Sequence, residues 1–246
     1  MRFSNARIDA FIEEDVPYID LTCEVLGIHN QPGEMEYFTR ESCVLAGTDI
    51  ARRIMRNLDC EVLTSSKDGQ LVSAGQTFFT VRGAAADLHA AWKACLNVFD
   101  HLSAVATKTR SMVDEVHAVN PECEVLTTRK SMPGAKDLLT CAVMAGGAFP
   151  HRLGLSETVF VFEQHLAFFG GFNRFVEELP RIKARCVEKK LFVEADAQRA
   201  IALARASSDG HGVDGIQLDK VPVSELAELV RRIREIDPRI TIIAAG

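Results

Sequence analysis

The chain has 246 residues, 47% hydrophobic and 25% charged, which is enough apolar material for one large domain or two modest ones. Its formal net charge of −6 argues against a nucleic-acid binder, which is ordinarily basic, yet leaves room for a small cationic pocket that takes an anionic metabolite. No run of about 18 apolar residues predicts a membrane span, and the charged start MRFSNARIDAFIEED lacks the apolar stretch of a secretion signal, so a cytoplasmic protein free of membrane partners is expected.

In chain order, EVLTSS (61–66) and QTFFTVRG (76–83) read as strands, with turns at Asp68-Gly69 and Ala74-Gly75, and predict a small antiparallel sheet. From 86 to 118, Leu88, Trp92, Cys95, Phe99 and Leu102 recur at helical spacing. Ser103 and Thr107 weaken the middle of that stretch, so it reads equally as one helix or two. Past residue 120 the pattern alternates. Strands are predicted at ECEVLTTR (122–129), TVFVFEQ (158–164), KLFVEAD (190–196), GIQLDK (215–220) and ITIIAA (240–245). Helices are predicted between them, at 135–147, 172–188, 197–208 and 224–237. In the last, Leu226, Leu229, Val230, Ile233 and Ile236 make one apolar stripe while Arg231, Arg232 and Glu235 face away. Ser224 is the expected N-cap and Asp237-Pro238 the expected stop. Short, nearly all-apolar strands alternating with helices imply a parallel sheet covered by helices. A barrel and a doubly wound sheet both satisfy that pattern.

The seven cysteines (23, 43, 60, 95, 123, 141 and 186) are odd in number and never spaced C-x-x-C. Neither a disulfide framework nor a zinc site is expected; small buried thiols are. The charged residues are more telling. The predicted strands end at Arg129-Lys130, at Glu163-Gln164-His165, at Glu194 and Asp196, and at Asp219-Lys220. Ligands of α/β sheets bind outside the carboxyl ends of strands. One such residue is ordinarily a solvated loop residue, but four strand ends together mark a site. Cations beside carboxylates suit an anionic substrate accompanied by a metal or by several hydroxyls.

TTRKSMPGAKDLLTCAVMAGGAFPHRLGLSETVFVFEQH (127–165) resembles the quinolinate phosphoribosyltransferase family, the nicotinate-nucleotide pyrophosphorylases. EDVPYIDLT (14–22), LNVFDHLSAVAT (96–107) and VDGIQLD (213–219) extend the resemblance over nearly the whole chain, and WKACLN and VFEQH are most similar to the ModD branch, named for its association with molybdate transport. The resemblance implies an N-terminal α/β sandwich with a linker helix (1–108), followed by an open α/β barrel (109–246). It implies a homodimer in which one subunit's N-terminal domain closes the partner's barrel mouth. The implied reaction joins a nitrogenous, carboxylated base to C1 of phosphoribosyl pyrophosphate with release of pyrophosphate, and with Mg2+ as cofactor.

Carried over by position, Arg129 and Lys130 match the family's TTRK pair, and His151 and Arg152 its HR pair; these would bind the anionic groups. Lys93 falls where the family has an arginine that reaches the partner's site. Glu194 and Asp219 match two acidic residues expected at the ribose and Mg2+. Asp196 reads as a solvated loop carboxylate, and His151 also suits a capping or core role. Three departures stand out. Phe162 replaces a substrate-site lysine, Lys93 replaces the arginine, and the chain ends at Gly246, the first residue of a phosphate-binding glycine turn, after Ala245 in place of a usual serine. A barrel incomplete at its C-terminal end and a partial phosphate site are therefore expected. The first two departures argue against quinolinate itself. The alternatives are an authentic quinolinate enzyme of NAD synthesis and a non-catalytic protein that binds an anion such as molybdate.

Overall fold

The structure is a computed structural model and describes residues 3–245. The chain forms two compact units, one running to His151 and the other from Arg152.

The first unit opens with α1 (Asn5–Asp15) and α2 (Leu21–Leu26), followed by β1 (Pro32–Phe38), β2 (Cys43–Val44) and α3 (Thr48–Asn57). Next come β3 (Glu61–Ser65), β4 (Leu71–Val72), β5 (Thr77–Ala84) and α4 (Ala85–Val119), then β6 (Leu126–Thr127), α5 (Lys136–Ala145) and β7 (Phe149–Pro150). The expected hairpin sheet is present: β5 is central, antiparallel to both β1 and β3. Three helices, α1 to α3, were not assigned by the sequence reading; α1 and α3 share the sheet's apolar core in an α/β sandwich. Ile50 and Ile54 of α3, Phe79 of β5 and Phe99 of α4 share its buried core. Phe99 meets Tyr37, Phe78 and Phe79 edge-on or tilted, at centroid distances of 4.9–5.5 Å. Burial pushes the Cys60 thiol up to about 11 and the Cys95 thiol up to about 12, so both behave as small apolar side chains.

Helix α4 is a single helix. The hydroxyls of Ser103 and Thr107 do not weaken it, because each has a partner outside its own turn. Ser103 Oγ accepts the Ala46 N–H at 3.1 Å, and Thr107 Oγ1 accepts the Val44 N–H at 2.8 Å. Thr107 donates in turn to the Ser103 carbonyl at 2.6 Å. Backbone donors beside the two-residue strand β2 are thus satisfied by the helix rather than by a neighbouring strand.

The expected strand at 122–129 shrinks to β6. Asn120 draws the preceding residues into a turn: its carbonyl accepts the Cys123 N–H at 3.1 Å and its Oδ1 accepts the Glu122 N–H at 3.0 Å.

The second unit contains β8 (Val159–Val161), α6 (Glu163–Phe169), α7 (Phe172–Glu177), α8 (Leu179–Arg185), β9 (Leu191–Ala195), α9 (Ala197–Ser207), β10 (Gly215–Asp219), α10 (Val223–Ile236) and β11 (Thr241–Ala245). Its strands form an open parallel sheet in the order β11-β10-β9-β8, not closed into a barrel among the described residues. Val161, Val193, Ala195, Ile216, Leu218 and Ile242 join one apolar core with Leu203 of α9 and with Leu229 and Ile233 of α10. The stripe read on α10 is the face that packs there. Its cap is corrected: the helix starts at Val223 behind Pro222, and Ser224 lies inside the first turn. Glu163, Gln164 and His165 are likewise not a strand end. They begin α6, and His165 Nδ1 accepts the Phe162 N–H at 3.0 Å. Among the described residues no helix is long and apolar enough to cross a membrane.

Candidate active site

Successive residues of a strand face opposite sides. With Val161, Val193 and Leu218 given to the core, Phe160, Phe162, Phe192, Glu194, Gln217 and Asp219 fall on the other face of the second unit's sheet. The rings confirm it: Phe160 stacks on Phe162 at 4.6 Å and on Phe192 at 5.9 Å, both within 19° of parallel. Arg152 caps this aromatic layer, its guanidinium carbon 4.9 Å from the Phe160 centroid and 5.5 Å from that of Phe162. Only 8% of Arg152 is exposed. A cation held over rings and screened from water keeps its charge in a fixed place, and such a contact is worth about 0.5–2 kcal/mol.

The acidic side of this face is built across paired strands. Glu194 lies opposite Gln217 in the β9–β10 register, and Gln217 Nε2–H donates to Glu194 Oε2 at 2.8 Å. Asp219 ends β10 opposite Ala245, half-buried, with Lys220 Nζ 3.9 Å from its Oδ2. Arg152, Phe162, Glu194 and Asp219, widely separated in sequence, are therefore brought to one sheet face. Glycine makes room for the layer: a Cβ at Gly215 would lie 2.1 Å from Phe192 Cε1.

The other expected residues belong to the first unit. Strands β6 and β7 pair in parallel, Leu126 with Phe149 and Thr127 with Pro150. Arg129 and Lys130 follow one strand and His151 the other, so all three leave the same end of this short ladder. The His151 N–H donates to the Thr127 carbonyl at 3.2 Å, which fastens the two motifs together. Arg129 and Lys130 are exposed; the Lys130 N–H donates to Thr128 Oγ1 at 3.2 Å. Lys93 is exposed on α4 with Nζ 4.5 Å from the Trp92 ring centroid. Gly246 lies outside the described residues.

Two other acids that the sequence placed at strand ends have structural work. Asp196 caps α9, accepting the Arg199 N–H at 2.8 Å, and Glu163 pairs with the Arg199 side chain. Sequence reasoning missed Gln217, Phe160, Phe192 and Gly215. Gln217 and Phe192 were legible only through register, since neither stands at a strand end.

Comparison with known proteins gives a consistent picture. The family model for the N-terminal domain of quinolinate phosphoribosyl transferase matches residues 20–103, and that for its C-terminal domain matches residues 105–246. A protein of Rhodobacter capsulatus bearing the name pyrophosphorylase ModD is 37% identical over 96% of this chain and 89% of its own length. One of Pasteurella multocida with the same name is 32% identical over 99% and 85%. A Synechocystis protein named as a carboxylating nicotinate-nucleotide pyrophosphorylase is 31% identical over 97% and 79%. Among solved structures, NadC from Streptococcus pyogenes superposes with a TM-score of 0.86 at 24% identity, covering all of this chain and 85% of that one.

Proposed function

Since the chain belongs to the quinolinate phosphoribosyl transferase family, we propose that it is a phosphoribosyltransferase of the ModD type. Its reaction joins a nitrogenous, carboxylated base to C1 of phosphoribosyl pyrophosphate and releases pyrophosphate. The observation that carries this reading is the sheet face on which a buried arginine over aromatic rings shares space with two carboxylates. A pure anion binder gains nothing from Glu194 and Asp219 there.

Each group has a role in that chemistry. C1 gains positive character as pyrophosphate departs, and negative charge grows on the leaving group. Fixed cations stabilise that change most where water is excluded. Arg152, screened from water, suits this role, with Arg129, Lys130 and His151 assigned to the remaining anionic groups of base and phosphoribosyl pyrophosphate. Glu194 and Asp219 are assigned to ribose hydroxyls and to Mg2+. Two half-buried carboxylates fit Mg2+, which usually takes one or two of them and keeps water and substrate phosphate oxygens for its other positions. Bound there, Mg2+ would supply charge neutralisation of the pyrophosphate. Lys93 is assigned to the active site of a partner subunit in a homodimer.

Phe162 sets the base. It lies in the aromatic layer where the family's lysine is expected, and the loss of a charge-assisted contact is worth about 1.5–3 kcal/mol. An apolar ring at that place favours a base with fewer carboxylates than quinolinate. The second reading, turnover of quinolinate itself with loss of CO2, draws support from the Synechocystis relative. Pyrophosphate release, measured with phosphoribosyl pyrophosphate, Mg2+ and a panel of pyridine and related heterocyclic acids, tests both. A monocarboxylate turned over faster than quinolinate supports the first reading, quinolinate turned over fastest with CO2 release supports the second, and release with no acid overturns both.

A further inference from the structure

The first unit holds a set of metal-ligating side chains that the proposed reaction does not use. Asp20, Cys23 and His89 bring a carboxylate oxygen, a sulfur and an imidazole nitrogen within 4.8 Å of one another. Among the described residues this is the one such group of three. Two elements build it. Asp20 and Cys23 belong to the start of α2, where Asp20 Oδ1 accepts the backbone N–H groups of Thr22 and Cys23 at 3.0 and 3.2 Å. That leaves Oδ2 directed elsewhere: it lies 2.6 Å from Nδ1 of His89, which is on α4, 69 positions further along. The imidazole is stacked beside Trp92 at a centroid distance of 5.7 Å, while Cys23 is only 4% exposed.

We infer that Asp20, Cys23 and His89 form a binding site for a divalent transition-metal cation of the zinc class. The donor set is one that zinc accepts, with metal–ligand bonds of about 2.0–2.3 Å and hence ligand–ligand separations of roughly 3.3–3.8 Å in a tetrahedron. The three atoms lie within 4.8 Å of one another, and the Asp20–His89 pair, at 2.6 Å, has to open by about 1 Å to admit the ion. On binding, the hydrogen bond between His89 and Asp20 is exchanged for two metal bonds, and the Cys23 thiol releases its proton to solvent as the sulfur–metal bond forms. A carboxylate and a thiolate then balance the two positive charges, and the imidazole binds as the neutral form. Asp20 stays oriented through its Oδ1 bonds to the backbone, and such outer contacts orient a ligand for its metal. Three protein ligands leave a fourth position for water.

A C-x-x-C search cannot see such a site, because its ligands are of three types and come from distant parts of the chain. The site would tie the start of α2 to α4. That start is otherwise flanked by exposed apolar residues, among them Tyr18, Leu21 and Val25. His89 is also one helical turn before Lys93, with Trp92 in contact with both.

The test is a cobalt titration of the full chain after chelator treatment. One Co2+ per chain should bind with half-saturation below about 100 µM, and should give the near-ultraviolet thiolate-to-cobalt absorption that only sulfur ligation produces. Zn2+ should displace it. Cys23→Ser should abolish the band, His89→Ala should weaken binding at least about 10-fold, and Cys123→Ser, which alters the exposed thiol, should leave it unchanged. Absence of the band, its survival in Cys23→Ser, or its loss in Cys123→Ser overturns the inference. Should Cys23→Ser fail to fold by circular dichroism, His89→Ala decides, because that side chain is exposed; unchanged affinity in that variant is equally fatal.

Discussion

Replacing Gly215 by alanine tests whether the aromatic layer is as tightly built as the distances indicate. A Cβ there would lie 2.1, 2.5 and 2.6 Å from three carbons of the Phe192 ring. Ordinary carbon contacts begin near 3.5 Å, so the ring has to move by more than about 1 Å. It has little space: Phe192 is 6% exposed and stacked on Phe160, which carries both Phe162 and the Arg152 guanidinium. Overpacking of this kind costs about 1–3 kcal/mol, and the backbone at this strand position imposes no penalty of its own. The displacement should pass through the stack to Arg152, and a misplacement of about 1 Å can cost on the order of 100-fold in rate. Urea unfolding measures the first effect, and pyrophosphate release with the accepted base the second. The double variant Gly215→Ala/Phe192→Leu should be less destabilised than the sum of the single changes, since the smaller side chain relieves the clash. A Gly215→Ala protein within about 0.5 kcal/mol of the parent, or a strictly additive pair, would refute the reasoning.

Phe162→Lys should raise turnover of quinolinate relative to that of a monocarboxylate by at least about 10-fold, the equivalent of a charge-assisted contact, in competition assays. Asp219→Ala should abolish Mg2+-dependent binding of phosphoribosyl pyrophosphate in calorimetry while leaving the melting temperature within a few degrees of the parent. Asp237 gives a pH prediction. It is buried at the end of α10 and accepts Arg239 Nε–H and Nη2–H at 2.9 Å each, and these bonds hold its carboxyl below the usual range. A carboxyl lowered on folding stabilises above its unfolded pKa of about 3.9, and that contribution is lost as pH falls through the folded value. Asp237→Asn should therefore be less stable than the parent at pH 7, with a gap that narrows steadily in acid below about pH 4. A gap that does not change with pH would mean the pair contributes nothing through its charge.

The second half of the chain was largely legible in its sequence. Strands such as GIQLD are apolar on the face that meets the helices, and their helices carry a clear stripe, so hydrophobic spacing located both. The same rule misled where local polar contacts override it. Asn120 closed a turn inside the expected first strand, and the Phe162 N–H bonded to His165 turned a strand end into a helix start. In the first half, α3 was legible in principle, because Ile50, Ala51, Ile54 and Met55 follow a helical period, yet β-like runs nearby drew the reading away. Of the candidate site, strand-end charges pointed to Glu194 and Asp219. Such charges could not tell them from Asp196 and Glu163, whose carboxylates serve a helix cap and an ion pair. Gln217 and the phenylalanine stack are properties of register between strands, which no single strand declares.

The unbroken run of α4 bears on how this architecture can be inherited. The matches to the two family domains meet at residues 103–105, within the 35 residues of that helix, where Ser103 and Thr107 hold the backbone of Ala46 and Val44. A crossover between homologous genes at that junction would leave the helix whole but take its two anchors, which hold the neighbouring backbone donors of Val44 and Ala46, from different parents. Exchange of the halves should therefore be tolerated better beyond the helix, towards Asn120, where both anchors come from one parent.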